Sequence, residues 1–275
     1  MRIAIASLAL TVALVGCGSS SDGPEREAVN PLAKAVSATQ AESSARMTFT
    51  TEGDVAGTSI KGNGSGIVQF KPPKAQLNLK MSAAGQDISI DEVMDGTTMY
   101  MKLPKQAMAG VPGGKSWIKF DLDKAAGGAL SGAMGSSQDP ASQLKLLKAL
   151  AGAKEVGKEK IGGEQTTHYH GELDYKQVAK SGPQELRKAA ELALKVMENT
   201  TIPVDVWIDD QGRVRQQRLD FNTKSLNGSP AQKQTMTIGY SDFGIDASVI
   251  KPPADSDAYD ATAQTSDAVD QLGIK

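Results

Sequence analysis

Residues 46–70 read RMTFTTEGDVAGTSIKGNGSGIVQF. Two strand-like segments, Arg46 to Val55 and Ile60 to Phe70, alternate polar and apolar positions, and Gly53, Gly57, Gly62, Gly64 and Gly66 loosen and bend the pair. Pro72 and Pro73 end the second segment, since proline has no N–H to give to a strand ladder. The same alternation continues outward. Leu77, Leu79 and Met81 share one face of the next strand, Ile88 and Ile90 one face of its neighbour, and Met99, Met101 and Leu103 follow an Asp95-Gly96 turn. Trp117 to Asp121 reads as a further strand. A helical interval comes next, with Asp139 as N-cap, Pro140 at the first helical position, and Leu144, Leu147 and Ala151 at helical spacing.

The second half repeats the plan without repeating the residues. Strands are expected near Lys154 to Ile161 and Thr166 to Leu173, then a helix from Pro183 to Glu198 whose Leu186, Ala190, Ala193 and Met197 form one apolar stripe. Val204, Val206 and Ile208 share a face of the following strand, Asp209 to Gly212 turn the chain, and Val214 to Thr223 and Gln234 to Tyr240 return it. The apolar phase changes between Val214 and Leu219, which requires a bulge to keep both on one side. The expectation is an α+β fold of about ten or eleven antiparallel strands, with two inserted helices on one face of the sheet.

Composition narrows the function classes. The chain has 275 residues, 39% of them hydrophobic, which suffices for a sizeable core. Lys and Arg total 30 against 32 Asp and Glu, so no positive excess is available to neutralise phosphates and nucleic acid is not an expected partner. One Cys and two His leave little material for disulfide frameworks or zinc centres, and neither a metal nor a cofactor is expected.

The single Cys has another use. Arg2 precedes an apolar run from Ile3 to Val15 that is shorter than the roughly 20 residues of a membrane-spanning helix, and that reads as a signal-peptide core. Leu14, Val15, Gly16 and Cys17 resemble the bacterial lipobox, in which the Cys thiol is thioether-linked to diacylglycerol and the chain is cut in front of it. Each buried methylene contributes about 0.8 kcal/mol, so two or three chains of palmitate type make a stable anchor on the extracytoplasmic face of the membrane. Gly18 to Gly23 are small and polar and read as a flexible linker. The expected division is a signal peptide over 1–16, a lipidated Cys and tether over 17–38, one domain over 39–252, and a disordered tail over 253–275.

Several of these stretches also carry a family resemblance. The lipobox at Cys17, the sheet beginning near Met47, the strand from Gly96 to Leu103 before Trp117, Ile118, Lys119 and Phe120, and the block from Ile202 to Asp209 followed by Gly212 and Arg213 resemble the actinobacterial LppX/LprAFG lipoproteins. The likeness covers residues 30–252, and the Ala125 to Gly135 loop and the long tail depart from it. It implies a strongly curved antiparallel half-barrel with helices across its concave side, similar to the LolA and LolB carriers. It further implies an acylated lipid or glycolipid as cargo, and a lipid exporter as a candidate supplier.

A curved sheet closed by helices leaves an apolar cavity where facing side chains are too few or too slender to fill it. This chain is sparing with bulk: Phe, Trp and Tyr make up 4%, while Met, adaptable to irregular apolar partners, occurs 10 times. The candidate lining from the sheet is Leu77, Leu79, Met81, Ile88, Ile90, Met99, Met101, Val204, Val206 and Ile208, and from the helices Leu144, Leu147, Leu186, Ala190 and Met197. Ordinary core packing accounts for any one of them taken alone.

Motifs that could carry catalysis have plainer explanations. Ala109 to Ser116 passes a loose phosphate-loop pattern, but a strand rather than a helix follows it, so a Gly and Pro hairpin loop is expected. His168 and His170 lie on one strand face with no third metal ligand placed by the sequence, and are expected to be partly exposed edge residues. Asp205, Asp209 and Asp210 read as solvated or turn-forming carboxylates, and no nucleophile elbow occurs. Two functions remain for what is expected to be a monomer: a non-catalytic lipid carrier, or an envelope sensor or interaction scaffold whose interior is filled by its own side chains. For the carrier, the helices or the Ala125 to Gly135 loop are expected to move to admit chains.

Overall fold

The computed structural model describes residues 31–83, 85–125, 144–182, 184–225 and 230–271. Cys17, the Asp139 N-cap and most of the Ala125 to Gly135 loop lie outside them. The chain opens with helix α1 (Pro31–Ala41) and runs through β1 (Ser44–Val55), β2 (Thr58–Gln69), β3 (Lys74–Ala83), β4 (Gln86–Asp95) and β5 (Thr98–Lys102). After the short α2 (Lys105–Met108) come β6 (Trp117–Asp121) and α3 (Leu122–Ala125). The second half contains β7 (Ala151–Ile161), β8 (Glu164–Asp174), α4 (Tyr175–Ser181), α5 (Gln184–Val196), β9 (Thr201–Asp209), β10 (Val214–Thr223) and β11 (Gln232–Ser241), and the chain closes with β12 (Ala258–Asp260) and α6 (Thr262–Gln271).

The strands form one 12-stranded sheet in the order β12-β6-β5-β4-β3-β2-β1-β11-β10-β9-β8-β7, one more strand than the upper sequence-based expectation. Every pair is antiparallel except β12 with β6. The phase change seen in β10 is resolved as anticipated, by a register shift between Val214 and Gln216 against β9.

The sheet is strongly curved. On a flat sheet the five spacings between β4 and β10 would separate them by about 24 Å, at roughly 4.8 Å per strand; yet Glu92 of β4 and Phe221 of β10 line one small cavity. The glycines of β2 permit the bend. Gly62, Gly64 and Gly66 stand opposite Thr51, Phe49 and Met47 on one side and Met81, Leu79 and Leu77 on the other, so three successive inward positions carry no side chain. A Cβ at Gly66 would lie 1.9 Å from the Gln76 carbonyl oxygen, and one at Gly64 would lie 2.8 Å from that of Asn78. The strands approach more closely there than any other residue allows.

The inward face of β8 to β11 is covered by helices. Leu32, Ala35 and Val36 of α1, Leu144, Leu147 and Leu150, Tyr175 and Val178 of α4, and Leu186 and Ala190 of α5 pack with Val204, Val206, Ile208, Leu219 and Ile238 in one continuous core. Polar ties seat α1. Thr39 Oγ1 accepts from the Val214 amide at 2.8 Å, and Arg213 bridges Asp209 at 2.8 Å and Glu42 at 3.3 Å. On the outer face the C-terminal segment folds back over Val93 and Tyr100 through Ile250 and Ala258. It is held by Lys119 Nζ to Asp255 and Asp260, at 3.2 and 3.5 Å.

Two expectations about the ends are corrected. The last part of the expected tether is helix: Leu32, Ala35 and Val36, at a helical spacing, are at most 1% exposed. The expected tail supplies an edge strand and a helix, because β12 meets the exposed backbone edge of β6 and Thr262 Oγ1 accepts from the Asp121 amide at 3.0 Å. Helix α4 was also not anticipated; it starts at Asp174, whose carboxylate accepts from the Lys176 and Gln177 amides.

Candidate functional site

A cavity of about 230 Å³ opens on the inner face of the sheet. Met47, Phe49 and Thr51 of β1 form one wall, Leu77 and Leu79 of β3 and Glu92 of β4 the opposite one, and Phe221 of β10 with Gln234 and Met236 of β11 the third. The space exists because β2, between β1 and β3, presents glycine where a strand would present three side chains. The neighbours lean into part of the gap: Met81 Sδ and Thr51 Cγ2 come within 2.7 Å of where a Gly62 Cβ would stand.

Three polar side chains, Thr51, Glu92 and Gln234, line this otherwise apolar cavity. Glu92 is 2% and Thr51 3% exposed, and among the described residues Glu92 Oε1 and Thr51 Oγ1 have no hydrogen-bond partner. Burial pushes the Glu92 carboxyl up to about 7, so it is largely neutral in mildly acidic surroundings. Outside the cavity wall, Gln217 on the inward face of β10 is 1% exposed, with both amide atoms unpartnered among the described residues.

Of the residues singled out from sequence, the structure brings Leu77 and Leu79 to the cavity wall. Met81 is half-buried over Gly62. Ile90 and Met101 are half-buried opposite the wall residues Leu79 and Glu92, Met99 is buried, none of the three lines the cavity, and Ile88 is 44% exposed, at the far end of β4. Val204, Val206, Ile208, Leu144, Leu147, Leu186 and Ala190 are core, with Met197 packed against it. The reason is local: helices cover β8 to β10 and fill that half, whereas β2 leaves space in the other. Met47, Phe49, Thr51, Glu92, Phe221, Gln234 and Met236 were not among the candidates. For Glu92 a signal existed, since the period of two through Ile88 and Ile90 carries on to residue 92.

The other motifs resolve plainly. Ala109 to Ser116 forms a 3-10 turn at Pro112–Gly114 leading into β6, with no helix at its end. His168 and His170 are not on an edge, since β8 lies between β7 and β9. Both point outward to one carboxylate: His168 Nε2 is 2.9 Å and His170 Nδ1 2.8 Å from Asp205 Oδ1. Trp207 stacks on His168 with ring centroids 4.5 Å apart, and its Nε1 donates to Glu159 at 2.5 Å. Burial pushes the Asp205 carboxyl up, but hydrogen bonds from His170 and His168 and their charge outweigh this and hold it below its usual range. Asp205 is therefore a cross-strand tie in mid-strand. Asp209, expected to be solvated or turn-forming, closes the β9–β10 turn while only 8% exposed. Among the described residues no helix is long and apolar enough to cross a membrane.

A strongly curved, open antiparallel sheet with helices on its inner face and a small apolar cavity is the architecture implied by the resemblance to lipoprotein carriers. Relatives bear on the particular family. The chain is 28% identical over 264 residues to the lipoarabinomannan carrier protein LprG of Mycobacterium tuberculosis, covering 91% of this chain and 94% of that one. This homology runs over nearly the whole of both chains. It is also 34% identical over 166 residues to an uncharacterised 31.2 kDa protein of Streptomyces griseus, a match over 56% of this chain and about half, 51%, of the relative. The crystal structure of the Mycobacterium tuberculosis lipoprotein LppX aligns with a TM-score of 0.47 at 16% identity, over 80% of this chain and 96% of that one. No family model matches the chain.

Proposed function

We propose that this protein is a lipoprotein anchored through Cys17 to the extracytoplasmic face of the membrane, which binds an acylated lipid or glycolipid on the inner face of its sheet and carries it within the cell envelope. The observation that carries this reading is the cavity between Met47, Phe49, Leu77, Leu79, Phe221 and Met236, a mostly apolar hollow on the inner face of the sheet. The relation to LprG, named as a lipoarabinomannan carrier, supports it. The function so read is non-catalytic.

At about 230 Å³ the space lies below the roughly 300–1,000 Å³ of pockets that enclose a drug-sized ligand. It therefore takes part of one acyl chain as it stands, and a cargo with several chains requires the helices to move off the sheet. The filled half under α1, α4 and α5 favours the second reading, a cargo-free sensor or scaffold. Native mass spectrometry on the Cys17→Ala chain, expressed in a bacterium that makes envelope lipids, separates the two. Adducts of lipid mass that vanish on organic extraction are expected; a clean apo mass, repeated after incubation with mixed envelope lipids, establishes the scaffold.

A further inference from the structure

The apolar cavity contains a carboxyl group that the fold does not use. Glu92 occupies an inward position of β4, opposite Leu77 of β3 and Met101 of β5. Among the described residues it makes no ion pair, and its buried Oε1 has no hydrogen-bond partner. Thr51, on the facing wall, is likewise buried, with a hydroxyl that meets no partner among the described residues. Buried polar groups are nearly always satisfied, so two unmet ones lining the same cavity point to a partner that arrives with the ligand.

We infer that Glu92 and Thr51 read an uncharged acyl ester of the cargo: the Glu92 carboxyl donates a hydrogen bond to the ester carbonyl, and the attached methylenes lie against Met47, Phe49, Leu77 and Leu79. This rests on the carrier reading and adds to it the feature by which a cargo is chosen. A neutral carboxylic acid offers one O–H donor and a threonine hydroxyl another. An ester offers only acceptors, so the two sides match. A bare hydrocarbon leaves both donors unmet, and a carboxylate or phosphate would bring an unpaired charge into an apolar space. The neutral form is the one favoured in the cavity, because burial raises the Glu92 carboxyl to about 7. No other residue of the cavity wall, on β1, β3, β10 or β11, is titratable.

The test uses the full chain carrying Cys17→Ala, so that no acyl group belongs to the protein itself, and two probes delivered from cyclodextrin, methyl palmitate and hexadecane. Binding is measured at about pH 5.5 and about pH 8.5, on either side of the Glu92 transition. Methyl palmitate is expected to bind about tenfold more tightly at the lower pH, the equivalent of one hydrogen bond, while hexadecane binds equally at both. Glu92→Gln, which keeps a donor without a titration, should hold the ester at both pH values. Glu92→Leu should lose the preference for the ester and keep hexadecane, with a melting temperature no lower than that of the parent. Ester binding that is level with pH and unchanged in Glu92→Leu overturns the inference and leaves the carrier standing. Failure of both probes to bind any of the proteins overturns the two together.

Discussion

Glu92 makes stability depend on pH in the direction opposite to an ordinary carboxylate. Its folded value is raised from 4.5 to about 7, so between these limits the folded state holds a proton that the unfolded state has lost. Stability is therefore full below about pH 4.5, falls as the pH rises toward 7 by on the order of 3 kcal/mol at most, and is level above that. Denaturant unfolding at a series of pH values should show this slope in the parent and none in Glu92→Leu. Asp205 behaves conventionally. Its carboxyl is held low by His170 and His168, so its contribution is present above its usual value of 3.8 and lost as the pH falls through the lower folded value. Asp205→Asn, which weakens two cross-strand hydrogen bonds on the outer face, should cost about 1 kcal/mol near neutrality, and an unchanged denaturation midpoint would remove the tie from the account.

Strand β2 and helix α1 decide what shape the sheet takes and what fills it. Gly66→Ala places a methyl group against the backbone carbonyl of Gln76, which cannot swing away as a side chain does. The strand pair must open, at a cost comparable to overpacking a core, about 1 to 3 kcal/mol or more, and thermal unfolding should show the loss. Gly57, in the turn between β1 and β2, has a φ of 81° and open space around it; there the strain of a left-handed backbone, rather than a clash, opposes alanine. For α1, Leu32→Ala empties a fully buried site and should cost about 2 to 5 kcal/mol. A near-neutral result would return residues 31–41 to the role of a tether.

Across the molecule two regions of the sheet do different work. Around Val204, Val206, Ile208 and Ile238 the inner face is packed core under helices, and around β2, between Met47, Leu79 and Phe221, it holds the cavity. A bulky substitution separates them. Leu79→Trp enters the cavity and should reduce lipid adducts in native mass spectra while leaving the melting temperature nearly unchanged. Val206→Trp enters a filled core, where Val206 is 0% exposed, and should lose about 1 to 3 kcal/mol of stability. If Leu79→Trp destabilises as much as Val206→Trp and lipid uptake is unaffected, the space beside Leu79 is not where cargo lies.

Most strands were legible in the chain because each is written in local alternation: Trp117 to Asp121 and Val214 to Thr223 are bounded as expected, and the bulge after Val214 follows from the apolar phase alone. Alternation also assigns each residue to a face. It does not say what the face meets, and so it could not separate Leu79, which borders a cavity, from Val206, which is sealed under helices. That distinction depends on which strands the bend at Gly62, Gly64 and Gly66 brings together and where α1, α4 and α5 come to rest. Glu92 shows the same limit. Its phase on β4 is local, but the mostly apolar surroundings that bury it come from residues of β1, β3, β10 and β11, brought around it only when the sheet curls. Helix α1 and strand β12 were missed for a related reason, since short segments of weak pattern gain their structure from long-range contacts, α1 through Thr39 and Arg213 to the β9–β10 turn and β12 through the edge of β6.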